Sequence, residues 1–420
     1  MNNKLRRILS VLIKFDIIKD IQNLTNIFFD EPKFYFYTSV INNTPALLKK
    51  GGFITSHVEL MGHGVSFTSR KTALLKCIAE GLERLMLFCY RPKKIFYTQN
   101  IKLLPKNIMD LSDYQIKNNK KIFFGLVKGE DLVENKDCFI PAQLVFLNYK
   151  LRPKELNLST RISTGAAGGF SKEDAIIRGI YEIVERDAFL TIYLNKISVP
   201  VLDIDAINDD EIQYIIKKII RYNLSVYILN ITNDLKIPSF ATVIVDKSGM
   251  GPSISVGLKS SFNQKDAIIG SLEEAVSIAR VYLRYHYIKK GGGKNKIQLK
   301  NIKDALDRGM YWYDKSMINN LDFLLNSIPT NKLDVNDKKS VSLNKLVDVL
   351  NRKGYKIYCH DLSLQQCRKI PYFIYKVLIP GLQPLYLNEN FPELKMERLK
   401  KVADHFDQKN NINKIPHPFL

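Results

Sequence analysis

Two long stretches of the chain are apolar on nearly every side at helical spacing, and one further stretch also reads as a long helix. The first, at about 72–90, distributes Leu74, Leu75, Cys77, Ile78, Leu82, Leu85, Met86, Leu87 and Phe88 around its circumference. The second, at about 172–194, does the same with Ile176, Ile177, Ile180, Ile183, Val184, Phe189 and Leu190. A third spans about 264–290. Helices apolar all round are usually buried, so the first two are expected inside the fold. Strand-like runs lie at Phe34–Ile41, Phe53–Val58, within 121–150, and at Val226–Ile231 and Ser239–Val245. Residues 1–32 read as one or two short helices, Gly62–Gly64 as a turn, and 157–172 as a Ser/Thr/Gly-rich loop feeding the second helix. The segment 199–258 reads strand, helix, strand, strand, and 300–350 is polar and helical. A final strand–loop–helix region ends in Pro416-His417-Pro418-Phe419-Leu420. The predicted class is α/β, mixed α+β. A helical and strand lead-in covers 1–54, and one domain covers 55–420 with a proline-containing tail at 414–420.

The three helices share one pattern. TALLKCIAEGLER (72–84), DAIIRGIYEIVER (174–186) and DAIIGSLEEAVSI (266–278) align without gaps. Ala73, Ala175 and Ala267 coincide, as do the apolar pairs that follow them. Glu80, Glu182 and Glu274 then fall in one column. In the first two copies a second acid follows (Glu83, Glu185), then an arginine (Arg84, Arg186). Such self-similarity predicts internally repeated sheet and long-helix units.

A lone Glu-x-x-Glu-Arg is usually a salt-bridged turn on a solvated face, worth a few tenths of a kcal/mol. Its setting here is different. Acids three residues apart lie on one face of a helix, and unpaired buried carboxylates are costly. Two such acid pairs are best rationalised if they converge on cations. Mg²⁺ takes hard oxygen ligands from a few carboxylates and substrate phosphates, and arginine suits phosphate oxygens. The segment Ser163–Gly169 supplies small residues before the second helix, and Ser171 with Asp174 reads as a capping box. A glycine-rich turn opening a helix favours anions. The constellation points to a nucleotide site built without a P-loop, since Gly291–Gly293 lacks the required spacing.

Composition narrows the class. No apolar run approaches the ~18–20 residues that span a bilayer. Met1–Phe15 reads as an amphipathic surface helix, because Lys14 interrupts its apolar run and no cleavage site follows. The expectation is a cytoplasmic protein without membrane association. The cysteines at 77, 89, 138, 359 and 367 form no Cys-x-x-Cys pair, so neither a zinc site nor a disulfide framework is supported. The net charge of +21 is spread along the chain without a nucleic-acid-binding signature, so nucleic acid is not an expected partner.

With these residues in view, the chain resembles the YcaO family. STGAAGGFSKEDAIIRGIYEIVERDAF (163–189) is similar to that family's signature, and HGVSFTSRKTALLKCIAEGLER (63–84) to its first nucleotide motif. KVLIPGLQPLYLNENF (376–391) and PHPFL (416–420) resemble the azoline-forming branch, which matures streptolysin-like and microcin-like peptides. The resemblance runs from about residue 55 to the end of the sequence. It implies a YcaO-type fold with ATP and Mg²⁺ as cofactors. It also implies a reaction. A Cys, Ser or Thr side chain of a precursor peptide attacks the preceding amide, whose oxygen is phosphorylated and lost, giving a thiazoline or oxazoline. Carried over by motif, Glu80, Glu83, Asp174, Glu182 and Glu185 would hold Mg²⁺. Lys76, Arg84, Arg178, Arg186 and Glu274 would complete the nucleotide site. Pro416, Pro418 and the carboxylate of Leu420 would assist proton transfer.

The chain departs from the family pattern at several positions. Lys76 replaces a serine, Ala167 and Arg178 replace a serine and a glutamine, and Ile278 fills the third arginine column, with Arg280 and Arg284 following. The tail ends in leucine where proline is common. Two other readings follow: a non-catalytic scaffold with a decayed nucleotide site, and amide-to-thioamide conversion. Expected partners are the precursor peptide, an E1-like (ocin-ThiF-type) protein that grips its leader, and a flavin dehydrogenase, with a homodimer as a further possibility.

Overall fold

The computed structural model describes residues 9–10, 12–14, 16–42, 52, 60–98, 107–114, 124–289, 291–292, 297–327, 329–330, 341–363, 372–409 and 411–420. The strand predicted at Phe53–Val58, Cys367 and most of the glycine loop near 290 lie outside these residues.

Among them the chain builds three sheets, each feeding one of the long helices. Strands β1 (Ile18–Asn23), β2 (Tyr35–Ile41) and β3 (Leu60–Ser66) form an antiparallel sheet, from which the chain enters helix α1 (Arg70–Leu87). Next come β4 (Phe96–Thr98), β5 (Phe124–Asp131), β6 (Lys136–Pro141) and β7 (Ala166–Gly169), and β7 leads into helix α2 (Lys172–Leu194). Then follow β8 (Val201–Leu202), helix α3 (Asp210–Ile220), β9 (Ser225–Asn230), β10 (Ser239–Val245) and β11 (Ile254–Ser260), and β11 leads into helix α4 (Gln264–Val276). The remaining labelled elements are β12 (Pro329–Thr330), α5 (Leu343–Asn351), β13 (Tyr358–Asp361), β14 (Phe373–Leu378) and α6 (Met396–His405). The second sheet runs β4-β5-β13-β14-β7 with β6 on β5, and the third β11-β10-β9-β8-β12.

The mixed α/β class stands, as do the first two long helices with their buried residues. Several local expectations are corrected. Residues 18–23, predicted helical, form β1, because pairing with β2 satisfies a backbone whose own helical signal is weak. Gly62 and Gly64 are no turn but the interior of β3. A Cβ on Gly64 would sit 1.9 Å from the Ala73 carbonyl oxygen, so the glycine lets α1 lie directly on the strand. We expect Gly64→Ala to cost at least about 2 kcal/mol in chemical denaturation, since the obstruction is backbone and cannot rotate away. The predicted loop at 157–172 contains β7, whose Ala166–Gly169 pair antiparallel with Lys376–Phe373 of β14. The third helix is not continuous: a π-helical turn, Ser277–Tyr282, separates α4 from a short helix at Leu283–Lys289. Insertions of this kind re-aim side chains, and here they swing Arg280 and Arg284 away from the face that carries Glu274. Arg280 pairs with Glu31 and Asp246, and Arg284 with Asp30 and Glu31.

The four described cysteines are buried without disulfide partners. Burial pushes the thiols of Cys77, Cys89 and Cys138 up to about 12, so they act as small apolar side chains. No helix among the described residues is long and apolar enough to cross a membrane.

Candidate functional site

The column acids of the three helices each tie a helix to its own strand segment. Glu80 Oε2 accepts the His63 N–H at 2.7 Å, Glu182 Oε2 that of Gly165 at 3.0 Å, and Glu274 Oε2 that of Leu258 at 2.6 Å. The free oxygens of the first two take arginines one turn on, Arg84 at 2.6 Å and Arg186 at 2.7 Å. Gly165 holds a left-handed φ of +84°, which glycine adopts without strain and which turns its N–H toward Glu182.

A second set of acids reaches to the neighbouring unit. Glu83 Oε1 accepts the Gly168 N–H of β7 at 2.7 Å, and Glu185 Oε2 accepts the Ser260 N–H of β11 at 3.1 Å. The third helix has Ser277 at the equivalent step, and Glu273, one turn earlier on the same face, takes over. Its Oε1 accepts the Phe67 N–H just beyond β3 at 3.2 Å, and Oε2 meets Lys76 Nζ at 2.5 Å. Unit one is thus pinned to unit two, two to three, and three back to one. The acids converge because this ring closes.

The electrostatics follow from that convergence. Burial, then the like charges of Glu80 and Glu182, push Glu83 up to about 7. Its other hydrogen bond, from Tyr372 O–H at 3.3 Å, carries no charge. Burial and Glu185 likewise push Glu274 up to about 7. Lys376, 2% exposed on β14, is pushed down to about 7 by burial. It donates to the carbonyls of Ile162 (2.9 Å) and Thr164 (2.6 Å) and so fixes the segment that presents Gly165. Arg186 also donates to Thr164 Oγ1, while its buried Nε has no protein acceptor.

Asp174 sits apart from the other predicted ligands. It lies in the first turn of α2, where its N–H donates to Oγ of the N-cap Ser171, and its carboxylate pairs with Arg178 at 2.8 Å. Beside Glu83, between α1 and the start of α2, lies a pocket of about 280 Å³. Lys76, Ala79, Gly169, Asp174, Arg178 and Tyr372 line it. Larger cavities of about 470 and 1200 Å³ lie away from the acids. The tail runs along α2. Pro416 O accepts from Tyr193 O–H (3.1 Å) and Trp312 Nε1–H (3.0 Å), and His417 O accepts from Arg308 (3.0 Å). Phe419, 2% exposed, lies 5.8 Å beneath the Arg186 guanidinium. Pro418 is buried and Leu420 half-buried.

The donor set suits Mg²⁺. Among the described residues no three carboxylate, imidazole or thiol side chains form a ready cage for a metal ion. Mg²⁺ is ordinarily held by one or two carboxylates plus phosphate oxygens and water rather than by such a cage. Glu83, pressed against Glu80 and Glu182 without a cation of its own among its hydrogen bonds, is a group such an ion would relieve.

Sequence reasoning missed Glu273, Lys259, Tyr372 and Lys376. Lys376 and Lys259 stand as the single charged residues of their strands, and that is a signal. Nothing local marks Tyr372.

Comparison with known proteins adds to this geometry. The family model described as YcaO cyclodehydratase, ATP- and Mg²⁺-binding, matches residues 61–383. A heterocyclase solved in complex with substrate and cofactor is similar at TM-score 0.70 and 18% identity, covering 98% of this chain and 57% of that one. YcaO from Methanopyrus kandleri, bound with AMPPCP and Mg²⁺, matches at TM-score 0.62 and 15% identity, over 90% of this chain and 91% of that one. The E. coli microcin synthetase McbBCD complex gives TM-score 0.56 and 15% identity, with 86% of each chain covered. At these identities the likeness is one of fold. A stretch of 149 residues (35% of this chain) is 24% identical to an uncharacterised protein of Methanothermobacter thermautotrophicus, of whose length it covers 39%.

Proposed function

This chain belongs to the YcaO family, and from that premise we propose that it is the ATP-dependent cyclodehydratase subunit of a peptide-maturing assembly. Its substrate is a ribosomally made precursor, in which Cys, Ser or Thr residues are closed onto the preceding amide as thiazolines or oxazolines. The observation that carries this reading is Glu83, a half-buried carboxylate near Glu80 on its own helix and Glu182 on a second, beside a pocket with two cations at its wall.

When bound, ATP with Mg²⁺ supplies the phosphoryl group that makes the amide oxygen a good leaving group. The residues of this chain position it. Glu80, Glu83 and Glu182 hold the ion, with Glu185 at the far side of the same helix face. Arg84 and Arg186 already brace Glu80 and Glu182, and from there each has donors left for phosphate oxygens. Lys76 and Arg178, with Asp174 orienting the latter, form the wall of the pocket that takes the rest of the nucleotide. Lys76 in turn is aimed by Glu273. The tail shields the Arg186 end from water. The carbonyls of Pro416 and His417 are taken up in anchoring it, so any proton transfer falls to the stretch Pro418–Leu420. An E1-like protein gripping the leader, a later flavin dehydrogenase and a cytoplasmic setting complete the proposal.

The test is a mass measurement. Incubation with ATP, Mg²⁺, precursor and leader-binding partner should remove one water for each residue closed. An oxygen-for-sulfur exchange would replace this reading with thioamide formation. An unchanged peptide, in a sample shown to bind no ATP, would leave a scaffold.

A further inference from the structure

The third unit breaks a rule that the first two keep. Glu80 and Glu182 carry their own arginines at 2.6 and 2.7 Å, but Glu274 is followed at that step by Ile278. Arg280 and Arg284 do not substitute, because the π-helical turn sends them to Asp30, Glu31 and Asp246. The cation on this side comes instead from the strand and pairs with Glu185. Lys259 precedes Ser260, the donor to Glu185, and its Nζ lies 3.5 Å from Glu185 Oε2. The acids that bear on it are Glu185, Glu274 and Glu182, with Arg178 opposing. Its stem runs along α4 at Gly270, where an added Cβ would come within 2.8 Å of Lys259 Cγ.

The corresponding position in the second unit, one residue before the Gly168 that donates to Glu83, is Ala167, which carries no charge. The two halves of the acid ring therefore differ in kind. On one side Glu83 accepts only from a backbone N–H and a phenol. On the other the Lys259 ammonium lies 3.5 Å from Glu185 and within the field of Glu274, on the side where a second hard cation would otherwise be drawn.

We infer that Lys259 is a built-in replacement for a divalent ion on the Glu185–Glu274 side, so that this site takes its ion on the Glu80–Glu83–Glu182 side alone. The inference rests on the nucleotide reading above and deepens it by making Lys259 the residue that sets metal stoichiometry. Lysine suits the role because its ammonium is a compact point charge on a flexible stem.

The experiment counts metal and does not need turnover. Protein mixed with an equimolar non-hydrolysable ATP analogue is titrated with Mn²⁺ beside an analogue-only control, and free Mn²⁺ is followed by electron paramagnetic resonance. The intact chain should bind about one Mn²⁺, Lys259→Met about two, and Lys259→Arg about one, because only the methionine removes the charge. Lys259→Met should also melt lower than the intact chain without Mn²⁺ and recover when it is added. That recovery separates a second ion site from a merely damaged fold. Two or more ions in the intact chain, or one in Lys259→Met, would overturn the inference while leaving the nucleotide reading in place. Binding of neither analogue nor Mn²⁺ by the intact chain would sink both.

Discussion

Glu83→Gln should make the protein more stable and less active at once. In the ligand-free chain Glu83 has its ordinary value near 4.5 raised to about 7 by burial and by Glu80 and Glu182. A carboxyl raised in the folded state contributes stability that is complete below the unfolded value and is lost as pH rises through the folded one. At pH 8 the ionised group therefore burdens the fold, and glutamine removes the burden while its carbonyl still accepts from Gly168. At roughly 1.4 kcal/mol per unit, discounted for partial exposure, the gain is about 1–3 kcal/mol at pH 8. It should shrink steadily below pH 7 and vanish only below the unfolded value of 4.5, by about pH 4, where the carboxyl is protonated in both the folded and the unfolded chain. The cost falls on function: peptide cyclisation should drop by at least about a hundredfold, or ~2.7 kcal/mol of lost transition-state stabilisation. Thermal melts at the two pH values and peptide mass spectrometry check the two halves. A variant less stable than its parent at pH 8 contradicts the account of Glu83 as a repelled, ion-ready carboxylate.

Asp187→Ala should do the opposite and collapse stability. Asp187 is fully buried and next to Arg186 in α2. Its two oxygens take Arg398 Nε at 2.9 Å and Nη2 at 2.6 Å, Asn233 Nδ2 at 3.0 Å and the Gln383 N–H at 2.8 Å. Arg398, 3% exposed, would then keep Asp234 as its close ion pair, at 2.7 Å. Breaking a buried pair by removing one partner costs about 3–5 kcal/mol, because the survivor stays buried and undercompensated. That is a large part of the 5–15 kcal/mol that holds a typical domain together. A shift below about 1 kcal/mol in chemical denaturation would show that this network does not tie α2 to α6 as the geometry implies.

The repeat was legible in the chain because it is written in local spacing, and both the helices and Glu80, Glu182 and Glu274 fall where that spacing puts them. The ring was not. Its closing contacts join residues 85, 75 and 206 positions apart, and no window of sequence contains both ends. For the same reason Glu273 hid beside the column acid Glu274 and emerged only when Phe67 and Lys76 came into reach. Gly62 and Gly64 read as a turn because turn rules are local, whereas their purpose is to admit α1. Arg280 and Arg284 lie in sequence where a missing arginine is wanted. A π-helical turn, invisible in the hydrophobic pattern, sends them elsewhere. The tail was marked by its prolines, but its anchoring by Trp312, Tyr193 and Arg308 depends on helices far away in the chain.

The facing acids of α1 and α2 should make ATP binding depend on Mg²⁺. Calorimetric titration of ATP into the intact chain and into Glu182→Gln, each with Mg²⁺ and with a chelator, tests it most directly. The account predicts binding in the intact chain that is lost with the chelator and weakened at least about tenfold, or ~1.4 kcal/mol, in Glu182→Gln. Binding of equal strength with and without Mg²⁺, or unaltered in Glu182→Gln, would contradict it.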